Sequence, residues 1–532
     1  MLFTSYEFVA FLIITFLLYY LVPKKAQWII LLALSYGFYL FSGVENLIFI
    51  VFTTLSSWLV AMWIEKINSK TEAYLLAHRE DMDKEARKAY KAARKKTAFS
   101  VLCLGLVLGF GILAVLKYTG FAIVNINSLL HLFGAQDGLA IPDLILPLGL
   151  SFYVFQTMGY LIDVYRGKAK AERNLARLAL FVSFFPQLIQ GPISRYNDLG
   201  EQLYTPHSFS GSAFFSGIQR MTWGYFKKLV IADRILIGMR AMLEDTGSYN
   251  GAWALLLIIL YSVEIYADFT GGIDITIGIA ESLGIKLKEN FKHPFISKST
   301  KEYWNRWHIT MGSWFTDYVF YPLSVCRPMQ AVSKKSRKLF GNAIGKRIPV
   351  YIATIVTWFL TGLWHGAAWN FIVWGLLNCL VILVSQELEP LYHRFRTKFP
   401  RLTASKPYGA FMIARTFLLM GFIRSLDCYR DVPTTFSMWG SIFTTANYGE
   451  LFSGGLAKIG LDAVNLAIIV SATLVVCAVN YILIKKGRDL REDLAQKPFV
   501  NYSLFAVVLL LILLFGAYGV GYDASDFIYK QF

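Results

Sequence analysis

The chain has 532 residues, of which 56% are hydrophobic and only 16% charged. An ordinary soluble domain carries about 25% charge, so a soluble globular enzyme is excluded, and apolar runs recurring from end to end predict an all-α polytopic membrane protein. The formal net charge of +17 would suit nucleic acid, but the lysines and arginines lie in short loops between apolar runs, where they set membrane topology, and no nucleic-acid partner is expected.

In chain order, the first apolar run covers residues 8–22. It has neither a basic segment before it nor a cleavage pattern after it, and is expected to be a retained span. Runs at 27–42 and 44–64 follow. Residues 65–97, "EKINSKTEAYLLAHREDMDKEARKAYKAARKKT", then break the pattern. Their Ala, Lys, Arg and Glu predict a soluble helix or helical hairpin, inserted into what is otherwise one integral membrane domain over 1–532. Further runs fall at about 98–117, 121–134, 144–162, 175–193, 213–240, 252–266, 270–283, 310–325, 350–365, 369–386, 408–424, 464–484 and 501–521. Several are short or interrupted by Gly and Pro, as in re-entrant or interfacial elements; about 11 full spans are expected. No internal repeat is visible. The five cysteines, Cys103, Cys326, Cys379, Cys428 and Cys477, include no CxxC pair. They predict neither a disulfide framework nor a metal site.

The loops orient the chain. The connection at 23–25, "PKK", is basic, "SGVEN" at 42–46 has no Lys or Arg, and 65–97 is strongly basic. The positive-inside rule then places the N-terminus outside and 65–97 in the cytoplasm. Basic loops at 333–347, 393–401 and 484–493 should be cytoplasmic too, and the C-terminal tail outside.

Polar residues inside apolar runs are the candidates for chemistry, because they are costly there. "FFPQLIQGPISRY" (184–196) should be a broken or re-entrant element that could line a cavity through Gln187 and Gln190. In "FKKLVIADR" (226–234), Lys227 and Lys228 suit a membrane edge, anchored by snorkelling. Glu264, Asp268 and Asp274 could form a proton relay or could order a break at Gly271–Gly272. His308, in "EYWNRWHITMGSWFTDYVFYPL" (302–323), is either an interfacial anchor or part of a site. Trp304, Trp307 and Trp314 around it suit the headgroup zone, and Asp317 could pair with Arg306 or serve a site. His365 lies in "TWFLTGLWHGAAWNFIVWG" (357–375), flanked by Trp364 and Trp369. Gly366, Ala367 and Ala368 would let another helix or an acyl chain approach closely. Desolvation favours a neutral imidazole, which is what a general base needs; a structural hydrogen-bonding histidine is the alternative.

Taken together, "LPLGLSFYVFQTMGYLIDVYRG" (146–167), "FFPQLIQGPISRY", "FKKLVIADR", "IYADFTGGIDITIGIAESLGIKLKENFKHPFIS" (265–297), "YWNRWHITMGSWFTDYVFYPL", "GLWHGAAWNFIVWG" and the ending "FIYKQF" (527–532) resemble the membrane-bound O-acyltransferases, in particular the bacterial alginate O-acetylation branch. The resemblance implies a helical bundle around a tunnel in the bacterial inner (cytoplasmic) membrane. It places His365 at the family's catalytic histidine and His308 at the second polar position. Trp364, Asn370, Asp317, Gln187 and Trp304 are the expected substrate-binding or tunnel-lining residues. It further implies a cytoplasmic acyl thioester as cosubstrate (acetyl-CoA or an acyl carrier thioester), no permanently bound cofactor, no metal, contact with membrane lipid, and an extracytoplasmic acyltransferase partner protein. The basic stretch 286–306 could form a rim for the donor's phosphates or be ordinary topology charge. Alternatives are D-alanyl transfer to teichoic acid, and a polytopic transporter using Glu264, Asp268 and Asp274.

The topology is open to direct test. With 65–97 in the cytoplasm, Lys91→Cys should resist membrane-impermeant thiol reagents in intact cells and react after permeabilisation; fast labelling in intact cells would reverse the orientation.

Overall fold

The computed structural model describes residues 3–135 and 137–518; the ending "FIYKQF" lies outside them. Every regular element among the described residues is helical. In a bilayer this is the expected economy of backbone hydrogen bonds, since a helix satisfies its own N–H and C=O groups without water. Eight helices among the described residues are long and apolar enough to cross a membrane, and Tyr6–Leu21 is a shorter apolar one. The remaining runs counted toward about 11 spans are built as shorter helices. One example is 175–193, where the chain stops at Ser183, turns at Phe184 and restarts as Phe185–Gln190 with Pro186 in its first turn. The proline supplies the break, as its ring cannot follow a preceding helical turn.

The chain forms two compact units, Met1–Phe214 with Ile279–Leu287, and Phe215–Gly278 with Lys288–Phe532. In the first, the expected polar insertion is a helical hairpin. Leu47–Ala77 runs past the apolar segment, the chain turns, and Lys84–Leu132 returns. Asp83 caps the returning helix through Ala86 N–H at 2.6 Å, and Tyr74 stacks on Tyr90 with ring centroids 4.5 Å apart. The returning helix has 49 residues, roughly 70 Å at the standard rise, more than twice the hydrocarbon thickness. Its basic N-terminal half therefore stands clear of the apolar layer. The runs expected separately at 98–117 and 121–134 belong to this one helix, because Gly120 between them meets no proline or turn sequence and stays helical.

The second unit holds a similar correction. The runs at 252–266 and 270–283 form one helix, Ala252–Ser282, and Gly271–Gly272 is not a break. The glycines serve close packing instead. A Cβ on Gly271 would lie 2.9 Å from the Gly224 carbonyl oxygen, one on Gly224 would lie 2.5 Å from the Gly271 carbonyl oxygen, and one on Gly278 would lie 2.6 Å from the Gly217 carbonyl oxygen. Two pairs of glycines, each seven residues apart, thus let the backbones of two helices touch. The partner helix, Gly211–Tyr225, continues through a π-helical stretch, Phe226–Ala232, into Asp233–Glu244.

This contact can be measured. Gly224→Ala and Gly278→Ala should each destabilise the detergent-solubilised protein by about 1–3 kcal/mol, the usual cost of overpacking, and lower its melting temperature. Gly111→Ala, where an added Cβ meets nothing within 4 Å, should not.

Candidate active site

His365 is the last residue of the helix Ile348–His365. Gly366 and Ala368 are extended, and a new helix, Trp369–Glu387, begins immediately. The small residues of "HGAAW" therefore make a hinge between two antiparallel membrane helices. Gly362 and Gly375 bring those helices into backbone contact: a Cβ at either would fall 2.4–2.5 Å from a carbonyl oxygen of the other helix. What approaches Gly366 is the ring of Phe371, which occupies the space that a Cβ would need.

His308 comes from a different part of the second unit. It is the N-cap of the short helix Ile309–Phe315 and has a left-handed backbone, with φ +53°, a conformation that costs a non-glycine residue energy and needs local support. Asn290 gives that support. Its carbonyl accepts from Ile309 N–H at 2.9 Å. Its side-chain oxygen accepts from Thr310 N–H at 3.0 Å and from the Thr310 hydroxyl at 2.9 Å, and its amide nitrogen lies 3.3 Å from His308 Nδ1. His308 is 1% exposed, and burial pushes its imidazole down to about 3, so the ring is neutral at physiological pH.

The two histidine rings, 57 positions apart in sequence, have centroids 6.4 Å apart. Trp364 touches both, at 5.7 Å from His308 and 5.0 Å from His365, and Trp374 packs 4.5 Å from His365. His365 faces a small cavity whose aromatic walls include Trp304, Trp307, Phe371 and Trp374 and whose polar lining includes Arg424 and Asp427. These two lie three residues apart on one face of the helix Lys406–Tyr429. Arg424 is 6% exposed; its guanidinium sits 4.2 Å over the Trp307 ring and donates to the Tyr303 hydroxyl. Asp427 accepts from the Tyr261 hydroxyl at 2.7 Å. The arrangement offers a base, hydrogen-bond donors and a fixed cation in a largely apolar enclosure, the ingredients for acyl transfer through a charged intermediate.

Comparison with known proteins agrees with this chemistry. Residues 171–426 match the model of the membrane-bound O-acyltransferase family; that interval holds both histidines and Arg424. The chain is 32% identical to a probable alginate O-acetylase of Azotobacter vinelandii, over 73% of this chain and 69% of that protein. It is 30% identical to a probable alginate O-acetylase of Pseudomonas syringae pv. tomato, over 89% and 80%. The chain belongs to the membrane-bound O-acyltransferase family. It is also 30% identical to a peptidoglycan O-acetyltransferase of Helicobacter pylori, over 57% of this chain and 58% of that one. This protein is therefore an integral membrane O-acyltransferase.

The other expected site residues of this O-acyltransferase fall in varied places. Trp304 lines the cavity, and its ring lies 4.8 Å from Trp358 and 5.8 Å from Trp374, while Trp364 packs against both histidines. Asn370 is buried beside the hinge and donates to the Leu426 carbonyl at 3.1 Å, tying its helix to the one that carries Arg424. Asp317 is half-buried in a π-helical stretch, Thr316–Phe320. Arg306, its suggested partner, instead pairs with Glu302 at 2.9 Å. Gln187 belongs to the first unit. It is buried there, accepts from Gln156 at 3.1 Å, and donates to the Pro192 carbonyl at 3.1 Å and to Ser194.

Lys227 and Lys228 are not snorkelling anchors. They are 4% and 1% exposed and meet acidic residues of the helix Ala252–Ser282. Lys227 bonds Asp274 at 2.6 Å; Lys228 bonds Asp268 at 2.6 Å and, from its own helix, Asp233 at 2.8 Å. Arg220 also pairs with Asp274, at 3.0 Å, and with Glu289. Asp268 and Asp274 are thus counter-ions to buried cations. Arg424, Asp427 and Asn290 were not among the expected site residues. The first two carried a usable signal, being ionisable residues inside an apolar helix; Asn290, in a polar loop, carried none.

The Lys228 pairing gives a sharp expectation. Lys228→Met takes the cation away from the buried carboxylate of Asp268 and the half-buried one of Asp233 and should cost about 3–5 kcal/mol, read as a lower melting temperature in detergent. The double variant Lys228→Met/Asp268→Asn should recover part of the loss. Equal stability of Lys228→Met and wild type would show the ion pairs to be dispensable.

Proposed function

We propose that this protein moves an acyl group, an acetyl, from a cytoplasmic thioester across the bacterial cytoplasmic membrane to a hydroxyl of an extracytoplasmic polysaccharide or of a partner protein that completes the transfer. The observation that carries the reading is the placement of His365 at the end of a membrane helix, facing an aromatic cavity, with His308 beside it. The acetyl group and the polysaccharide acceptor rest on the similarity to the O-acetylases. Acetyl-CoA or an acyl carrier thioester supplies the group, and no metal or resident cofactor is required.

In this reading His365 takes the proton of the acceptor hydroxyl as its oxygen attacks the thioester carbonyl carbon. The C–O bond forms, and the carbonyl electron pair moves onto oxygen. Hydrogen-bond donors in the site stabilise that oxyanion, His308 among them, and the Arg424 cation adds a favourable field. The intermediate collapses with cleavage of the C–S bond, and the His365 imidazolium returns the proton to the departing thiolate. No net proton is consumed, so the mechanism needs no proton pathway. The exposed lysines of the segment 286–306 suit the phosphates of a cytoplasmic donor.

The test is substitution of His365 in cells, with esterified acyl groups on surface polymers released by mild base and identified. His365→Ala and His365→Gln should insert and fold, yet lose about 10²-fold or more of the acyl transfer. The released acid should be acetate; alanine would instead assign D-alanyl transfer. Near-wild-type acylation by His365→Gln, which keeps hydrogen bonding but cannot accept the proton, would reduce His365 to a structural role.

A further inference from the structure

We infer that Asn290 is a positioning residue that fixes His308 in the tautomer with its proton on Nε2, so that His308 enters the reaction as a hydrogen-bond donor and never as the base. The inference deepens the acyl-transfer reading by dividing the labour between the two histidines.

The backbone N–H of Thr310 can only donate, and it points at the Asn290 side chain at 3.0 Å. The atom there must therefore be the amide oxygen, which removes the usual uncertainty about which way an Asn side chain faces. The Thr310 hydroxyl, 2.9 Å from the same oxygen, is free to rotate and donates as well. With its oxygen so engaged, Asn290 turns its NH₂ to His308, and the nitrogen it meets at 3.3 Å is Nδ1. An NH₂ group can only donate, so Nδ1 must accept and carries no proton. A neutral imidazole with a bare Nδ1 holds its proton on Nε2. The ring is neutral because it is buried, at 1% exposure, among Phe269, Phe291 and Trp364. Asn290 is itself only 1% exposed, and its backbone carbonyl is held by Ile309 N–H. The amide is thus fixed from both ends, in the manner of the outer partners that orient histidines in metal sites. The titratable side chain of His365 also packs near it, at 6.4 Å between ring centroids.

Two consequences separate this from a purely structural Asn290. First, any residue at 308 that donates a hydrogen and tolerates the left-handed backbone should substitute. Asn and Asp both tolerate that backbone and have nearly the same shape, but only Asn has an N–H to give. Second, a residue at 308 with no tautomers should not need Asn290 for this purpose.

The decisive measurement is nitrogen-15 NMR of histidine-labelled protein in liposomes, with the His308 signals assigned by their absence in His308→Asn. The expected result is a neutral ring with its proton on Nε2 in wild type and a loss of that single state in Asn290→Ala. A proton on Nδ1, or a charged ring at neutral pH, overturns the inference whether or not the protein transfers acyl groups. The second measurement is acyl transfer. His308→Asn should stay within about tenfold of wild type, and His308→Asp should fall by about 10²–10³-fold, the usual cost of a lost oxyanion donor. Equal loss in both overturns the donor role. Asn290→Ala should lower kcat about tenfold in the wild-type background, comparable with the loss of an outer-shell partner elsewhere, with little change in KM for the thioester, and about twofold or less when combined with His308→Asn. The same loss in both backgrounds would mean that Asn290 only caps Thr310.

Discussion

A polar group in the apolar interior of a membrane protein has no water to fall back on, and that constraint organises the second unit. Each ion or amide buried there must find its partner within the chain or accept a large desolvation cost. Lys228, at 1% exposure, has the carboxylates of Asp268 and Asp233 within 2.8 Å. The pair with Asp268 in turn requires two helices to run close together, which the glycines at 217, 224, 271 and 278 permit. Small residues and buried ions are parts of one solution: the first set the distance between helices, and the second fix their register.

The same constraint shapes the site. The His365 hinge is non-helical for three residues, and the adjoining helices are held together through Gly362 and Gly375. Around it, rings supply bulk without hydrogen-bonding demands, so the few polar side chains that remain are conspicuous. Arg424 rests on an indole face and a tyrosine hydroxyl, Asp427 on another tyrosine, and His308 on Asn290. These three groups each have a neighbour whose chemistry sets their orientation, which is the preorganisation that acyl transfer through an oxyanion needs. The left-handed backbone of His308 fits the same pattern, since local strain is retained where surrounding bonds determine it, here the bonds to Asn290.

Membership of the O-acyltransferase family gives these observations a common purpose but does not by itself assign the residues. Asp268 and Asp274 illustrate the difference. As carboxylates in an apolar helix they suit, together with Glu264, a proton pathway, which is the transport reading of this segment. Placed against Lys228, Lys227 and Arg220, Asp268 and Asp274 are counter-ions to buried cations.

The sequence by itself determined the class of protein, because hydropathy is a sum over neighbours and needs no knowledge of the fold. It determined that residues 65–97 are helical and polar, that 184–190 is broken at a proline, and that His365 is the polar residue most in need of an explanation. It could not determine what Gly271–Gly272 does, since a glycine pair suits a break and a close contact equally, and only the presence of Gly224 opposite decides. Nor could it tell a snorkelling lysine from a paired one. Lys228 and Asp268 are forty positions apart, and pattern along the chain carries no information about pairing across that distance. Asn290 was hidden for the same reason, and Arg424, though marked as an ionisable residue in an apolar helix, had no partner that the sequence could name. Their roles are properties of the groups they face, and which groups those are is decided only when the helices pack.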